Sequence, residues 1–423
     1  MADPLPLSLL PDTAEVSPDG HLSIGGVDLQ ALAEEFGTPL FVYDEAHLRD
    51  RCRQAVDVFG DGVAFASKAF MCTAMAKLAH EEGMHIDVAT GGELHVALHA
   101  GVPAANLVMH GNNKSMVELE AALAAGVGRI VVDSFDEMDR LDMIHARTGQ
   151  VASVLLRLTP GVEAHTHEFI ATGQDDSKFG FTVSLGYAEQ AIQRAVASPA
   201  MDFLGIHAHI GSQVFSQDAF RQAVEVIAGI ANSLEVREMS VGGGLGVPYV
   251  AGEEAPTVGQ WGRMVLQACS AAGVTAKVLA EPGRSIVAAA ALTLYQVGTI
   301  KALEGIRTYV AVNGGMSDNP RPVLYGSGYE TFLPRATTAE RPMPIRLVGK
   351  HCESGDILVR EGWVPDDIRV GDLLATPVTG AYGYSLASNY NMVPRPPVVF
   401  VADGKARLVR RRETFEDLLA LDG

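Results

Sequence analysis

The chain has 423 residues, is 48% hydrophobic and 20% charged, and carries a formal net charge of -19. That length exceeds one small core and predicts two domains, or one large barrel with an appendage, in a globular protein. The acidic balance excludes nucleic acid and anionic membranes as partners, because both need a basic surface. No apolar run is long enough to span a bilayer, and the start, Met1-Ala2-Asp3-Pro4, lacks the basic flank of a signal peptide. The four cysteines, Cys52, Cys72, Cys269 and Cys352, share no metal-ligand spacing, which predicts a reduced, cytoplasmic protein with no metal site.

In chain order, residues 22–24 and 40–43 read as short strands with a helix over 29–36 between them. From 63 to 284, eight short apolar runs follow at 63–67, 85–90, 106–111, 129–134, 152–159, 203–210, 236–242 and 277–281. Alanine-rich helical stretches separate them, as at 73–82, 92–100, 117–125 and 135–147. Eight strand–helix units over this length predict a (β/α)8 TIM-type barrel. A doubly wound sheet would show fewer strands and a glycine-rich turn after the first; here that turn carries Lys68. Beyond about 290 the helices thin out, and strand-like runs at 292–297, 308–312, 345–348 and 397–401 alternate with Gly and Pro turns. The expected division is therefore 1–43, a segment joining a β-domain; 44–289, the barrel; and 290–423, the C-terminal β-domain.

Active sites of such barrels lie at the carboxyl ends of the strands. Residues just past the runs are Lys68; His110, Asn112 and Asn113; Arg157; His207, His209, Gly211 and Ser212; Gly242-Gly243-Gly244-Leu245-Gly246; and Glu281-Pro282-Gly283-Arg284. An amine at the end of a strand, as in Val63-Ala64-Phe65-Ala66-Ser67-Lys68, forms Schiff bases with carbonyl substrates or with pyridoxal phosphate. Taken alone, such a lysine is more often merely solvated. The glycine run lets backbone N–H groups approach a phosphate, although a tight turn would use the same residues. Glu281 suits a protonated pyridine nitrogen; its alternative is a rim ion pair with Arg284. His209 lies flat on a cofactor ring or is an ordinary polar residue of the barrel mouth. In the β-domain, His351-Cys352-Glu353-Ser354-Gly355-Asp356 surrounds a thiol with charged and small polar neighbours, which does not suit a core cysteine. Gly380-Ala381-Tyr382-Gly383-Tyr384 places a phenol in a glycine-rich loop.

These segments resemble the fold-type III pyridoxal-phosphate decarboxylases, and among them the diaminopimelate decarboxylases most closely. The resemblance runs from about residue 37 to the C-terminus. It is carried by Phe65-Ala66-Ser67-Lys68-Ala69, His209-Ile210-Gly211-Ser212-Gln213, the glycine run, Glu281-Pro282-Gly283-Arg284, Cys352-Glu353-Ser354-Gly355-Asp356 and Gly380-Ala381-Tyr382-Gly383. Three stretches set this family apart from ornithine and arginine relatives. One is His165-Thr166-His167 through Thr172-Gly173 to Asp176-Ser177-Lys178-Phe179-Gly180. The second is Gly314-Gly315-Met316-Ser317-Asp318 with Arg321, Pro322 and Tyr325. The third is Ser388-Asn389-Tyr390-Asn391 with Pro394-Arg395-Pro396. Phe65 and Phe70 depart from the Tyr and Asn of many relatives.

The resemblance implies a barrel and β-domain of the alanine racemase/ornithine decarboxylase type. It implies decarboxylation of meso-2,6-diaminopimelate to L-lysine and carbon dioxide, the last step of lysine biosynthesis, with pyridoxal 5'-phosphate as cofactor. By the same resemblance Lys68 carries the cofactor, His209 stacks on its ring and Glu281 pairs with its nitrogen. Ser212, Gly244, Pro282, Gly283, Arg284 and Tyr382 hold or approach it. Arg284, Arg321, Tyr325, Glu353 and Tyr382 bind substrate, Arg321 gripping the distal carboxylate. The partner subunit's Cys352 is the acid, in a homodimer with shared sites. Rival readings are a related decarboxylase of ornithine, arginine, lysine or a pathway-specific amino acid, a racemase, and a cofactor-binding protein without activity. Glu281 speaks against the racemase, which places arginine at the ring nitrogen, and the β-domain with Cys352 and Tyr382 against the last.

Overall fold

The computed structural model describes residues 3–161, 175–209 and 211–423; His165-Thr166-His167, Thr172-Gly173, Ile210 and the Met1-Ala2 start lie outside the described residues. The chain divides into two compact units, Arg51–Gly246 with Ala255–Ser285, and Met1–Asp50 with Val247–Glu254 and Ile286–Gly423. These limits differ by a few residues from the expected 43/44 and 289/290, and the short stretch Val247–Glu254 had no signal of its own.

The first unit is an eight-stranded parallel barrel. Its strands are β1 (Ala64–Ala66), β2 (His85–Val88), β3 (Leu107–Met109), β4 (Arg129–Val132), β5 (Ala152–Thr159), β6 (Met201–Ala208), β7 (Glu238–Ser240) and β8 (Lys277–Leu279), paired in that order. The ring closes through a parallel bridge between Val63 and Ala280, where Ala64 N donates to Ala280 O at 2.9 Å and Ala280 N to Gly62 O at 3.0 Å. Closure leaves no edge of unpaired backbone groups. Seven of the strands fall within the runs read from the sequence, and β6 overlaps its run but starts two residues earlier, at Met201. Runs such as β3, β4 and β5 are legible because a parallel strand buried on both faces is rich in Val, Ile and Leu. Ala64, Val108, Val131, Leu155 and Leu279 come from five different strands and pack as one buried cluster, so the interior is filled.

Five of the barrel helices carry a polar cap at their start. Thr90, Ser115, Ser134, Ser216 and Thr257 each accept a hydrogen bond from the third residue of the helix they precede, and Ser115–Glu118 and Thr257–Gln260 are full capping boxes. The loop after β3 is pinned from below by Lys114, which is 1% exposed. Its ammonium donates to Gly111 O and Val131 O, both at 2.7 Å, and pairs with the equally buried Glu137 at 2.9 Å. Two of its protons are thereby used in hydrogen bonds, and its charge is balanced by the carboxylate.

The second unit is built on a sheet in the order Ile357–Val364, Met343–Val348, Arg307–Val312, Ala291–Leu303, Leu40–Asp44, Val398–Ala402, Lys405–Arg410. Leu373–Pro377 pairs with Ala291–Leu303 off that path. The early strand Leu40–Asp44 takes the centre, fully buried, as expected of a segment that joins this sheet. The other early strand does not join it: Leu22–Ile24 pairs instead with Glu15–Val16 and Val27–Asp28 in a small separate sheet. The expected helix between them is Leu29–Phe36, capped by Asp28.

Removing one partner of the Lys114–Glu137 pair strands a buried charge. Lys114→Met is expected to cost about 3–5 kcal/mol, seen as a fall in the thermal unfolding midpoint, and Lys114→Met with Glu137→Leu is expected to recover most of it. A single variant as stable as the wild type would contradict this reading of the loop.

Candidate active site

At the carboxyl ends of β6, β7 and β8 the barrel holds a buried anion. Glu281, 7% exposed, follows β8. Its Oε2 lies 2.9 Å from His207 Nε2 on β6, and its Oε1 accepts from Ser240 Oγ on β7 at 2.9 Å and faces His110 Nε2 at 3.5 Å. Strand register brings these groups together, since His207 pairs with Ser240 and Ser240 with Leu279. Burial alone would raise the Glu281 carboxyl, but the imidazoles of His207 and His110 outweigh it and hold it well below the usual carboxylate range. Burial tends to lower His110 as well, yet Asp87 and Glu281 raise it, while burial lowers His207 despite its carboxylate partner. With Glu281 ionised, His207 Nε2 carries the proton it donates, and Nδ1 has no hydrogen-bond partner among the described residues. Asp87 on β2, 3.8 Å from His110, is pushed by burial up to about 6.

His209 is half-buried just past β6, and its Nδ1 accepts from Gly243 N at 3.2 Å. Burial, then the nearby charges of Lys68 and Arg157, hold its imidazole well below the ordinary value and so neutral. Lys68 is exposed between the buried Ser67 and Ala69, in a single 3-10 turn that ends β1. The glycine run has a steric cause. A side chain on Gly242 would lie 2.6 Å from Ala208 O, one on Gly243 would strike Glu281 O, and one on Gly244 would strike Gly211 O. Only glycine lets the end of β7 pass so close to its neighbours, and Gly242 and Gly244 have φ of 68° and 102°. Gly283 likewise abuts Ala66, where a Cβ would lie 2.9 Å from its carbonyl oxygen, and Ala66 N donates to Pro282 O at 3.2 Å. Arg284, 7% exposed, donates to Ser212 Oγ at 2.8 Å. It therefore engages Ser212, while Glu281 engages two histidines and a serine.

The remaining expected residues belong to the second unit. Arg321 is 4% exposed; it donates to the Tyr329 phenol, and its guanidinium lies 4.1 Å above the Tyr249 ring. Its Nε is buried with no hydrogen-bond partner among the described residues. Tyr325 is half-buried at the end of the same short helix, Arg321–Tyr325. Cys352 and Glu353 are exposed on a turn, unlike the buried Cys52, Cys72 and Cys269. Two residues hold that turn. Asp356 accepts from His351 N at 2.8 Å and Met316 N at 2.6 Å, and Asn391 Oδ1 accepts from Cys352 N at 3.3 Å and meets His351 Nδ1 at 3.1 Å. His351 Nε2 lies 2.8 Å from Ser317 Oγ. Glu353 accepts from Gly355 N at 3.3 Å. Tyr382 is half-buried at φ 60°, a left-handed conformation uncommon for a non-glycine residue, between close-packed Gly380 and Gly383.

The comparisons with known proteins agree with this chemistry. Residues 45–288, more than half of the chain, match the family model for the pyridoxal-binding domain of pyridoxal-dependent decarboxylases. A diaminopimelate decarboxylase of Mycobacterium bovis is 49% identical over 95% of both chains, and one of Bacillus subtilis is 45% identical over 97% of both. The chain belongs to the diaminopimelate decarboxylase family. A crystal structure of the M. jannaschii diaminopimelate decarboxylase in complex with L-lysine superposes with a TM-score of 0.90 at 32% identity, covering 97% of this chain and 98% of that one. The protein is thus a pyridoxal-phosphate-dependent decarboxylase with the (β/α)8 barrel and β-domain of that family.

The barrel residues fit pyridoxal phosphate. Glu281 stays anionic where a protonated ring nitrogen needs a partner, His209 presents a neutral ring, and Lys68 supplies an amine. Sequence reasoning placed His110 and His207 on the rim without a role, named Asn391 only within a family stretch, and missed Asp87, Ser240, Tyr249 and Tyr329. The available signal for the first two was a polar residue inside an apolar run, as in His85-Ile86-Asp87-Val88 and Glu238-Met239-Ser240.

Proposed function

We propose that this protein decarboxylates meso-2,6-diaminopimelate to L-lysine and carbon dioxide, in the cytoplasm, as the closing step of lysine formation. The observation that carries the reaction class is the buried, ionised Glu281; the substrate follows from the names of relatives matched over nearly the whole chain. Pyridoxal phosphate, when bound, supplies a sink for the electron pair left behind by carbon dioxide. Glu281 holds the ring nitrogen protonated and so deepens that sink. His209 bears on the face of the ring. Ser212, Gly244, Gly283, Arg284 and Tyr382 take the phosphate, and Pro282 sets the backbone beside them.

Lys68 would hold the cofactor at its carbonyl carbon through the side-chain amine. Arg321, with Arg284 and Tyr325, receives the distal carboxylate, where a fork of N–H donors matches two oxygens. The buried Nε of Arg321, which has no hydrogen-bond partner among the described residues, supports this role. Glu353 reads the distal amino group, and Tyr382 closes on the substrate. Cys352, exposed on its turn, delivers the proton to carbon across a homodimer interface, so that one subunit completes the site of the other.

A substrate panel tests the proposal. Lysine and carbon dioxide are expected from meso-diaminopimelate only, with no turnover of L-ornithine, L-arginine or L-lysine; activity confined to another amino acid would overturn the substrate assignment. Arg321→Ala is expected to raise KM for meso-diaminopimelate, at a cost of about 2–5 kcal/mol, while cofactor absorbance stays unchanged. Shared sites have their own test. Lys68→Ala and Cys352→Ala, each inactive, are expected to regain up to about a quarter of wild-type activity when mixed and allowed to exchange subunits. No recovery between exchanging subunits would place both groups in one chain's own site.

A further inference from the structure

We propose that Tyr249 and Tyr329 are positioning residues that fix the fork of Arg321 and thereby set the preference for a ligand with a distal carboxylate. The inference rests on the role given to Arg321 above and names what makes that role selective. Arginine carries five N–H donors on a flat head at the end of a flexible chain, so an unrestrained guanidinium recognises a carboxylate poorly. Here the head is restrained on two sides. Its carbon lies 4.1 Å above the Tyr249 ring and 5.5 Å from the Tyr329 ring, and Nη1 donates to the Tyr329 oxygen. The two rings meet edge to face, with centroids 5.2 Å apart and an 80° angle between planes. Stacking fixes the plane of the guanidinium, and the Tyr329 bond fixes its rotation within that plane. The Nε donor keeps no partner among the described residues. A buried donor left in that state is costly until an acceptor arrives, which favours an anion at this place.

The rings are themselves held. Tyr249 lies in Val247–Glu254, directly after the glycine run in sequence, and its N donates to Glu253 Oε2 at 2.8 Å. Ala251 N donates to Glu330 Oε1 at 3.2 Å, and Glu330 Oε2 pairs at 2.8 Å with Arg341, which is 4% exposed. Glu330 is also the residue after Tyr329. One carboxylate therefore ties both aromatic segments together. Simple core packing would call for two apolar rings; it would not call for a phenol oxygen directed at a buried guanidinium.

The test compares two ligands that differ by one carboxylate. L-Lysine keeps the distal carboxylate and cadaverine lacks it. Inhibition constants of both are measured on the holoenzyme, with KM and kcat for meso-diaminopimelate. Wild type is expected to bind lysine more tightly than cadaverine. Tyr249→Leu is expected to reduce that preference about tenfold, the size of a desolvated cation–π contact, and to raise KM more than it lowers kcat. Tyr249→Phe keeps the ring face and is expected to keep the preference. Tyr329→Phe removes a single oxygen, preserves packing and is expected to lose part of it. A Tyr249→Leu enzyme that binds both ligands more weakly by the same factor, or a Tyr329→Phe enzyme with undiminished preference, would overturn the positioning role alone. A wild type indifferent to the carboxylate would overturn the role of Arg321 itself.

Discussion

The ionised carboxylate of Glu281 is the constraint on which the barrel's chemistry depends. A carboxylate at 7% exposure becomes neutral unless something compensates the lost water. Here the compensation comes from three strands at once: an imidazole from β6, a hydroxyl from β7, and, behind them, His110 flanked by Asp87. This arrangement exists only if β6, β7 and β8 are adjacent, parallel and in one register, which a closed barrel enforces. The glycines after β7 serve the same end. Any side chain at Gly242, Gly243 or Gly244 would push apart the strand ends that surround the anion.

The β-sheet unit solves a different problem, that of holding a cation and a thiol in defined places. Arg321 is restrained by two aromatic rings, and the Cys352 turn by Asp356 and Asn391. The two restraints share a framework. Asp356 binds Met316 N, His351 reaches Ser317, and Asp318 accepts from both Tyr295 and Gly315 N, so the loop that leads to Arg321 is tied to the turn that bears Cys352. Burial pushes Asp318 up to about 7, so the buried Tyr295–Asp318 contact is uncharged only at pH below that value.

The eight barrel strands were legible because most are largely apolar runs ended by glycine or a polar residue, and several helices between them have sequence-visible caps such as Ser115 with Glu118. The charge network was not legible. Asp87, Ser240 and His207 are distant in sequence and meet only through register, and a polar residue inside a strand has no unique partner until that register is known. Leu22–Ile24 was legible as a strand but not as part of its own small sheet, since its partners Glu15–Val16 and Val27–Asp28 are only two residues long. Tyr249 escaped for another reason. It follows a glycine run that claims attention, and its contacts lie with residues about eighty positions later.

The most direct measurement is the protonation state of the cofactor nitrogen. Holoenzyme reconstituted with pyridoxal phosphate labelled with nitrogen-15 in the ring would be examined by NMR across the range where the protein is folded. A lowered Glu281 pKa means the carboxylate is charged above the ordinary carboxylate range and takes up a proton only as pH falls through its lower folded value. The account therefore predicts a protonated ring nitrogen at neutral and mildly alkaline pH, lost in Glu281→Gln. An unprotonated nitrogen in the wild type under those conditions would contradict it.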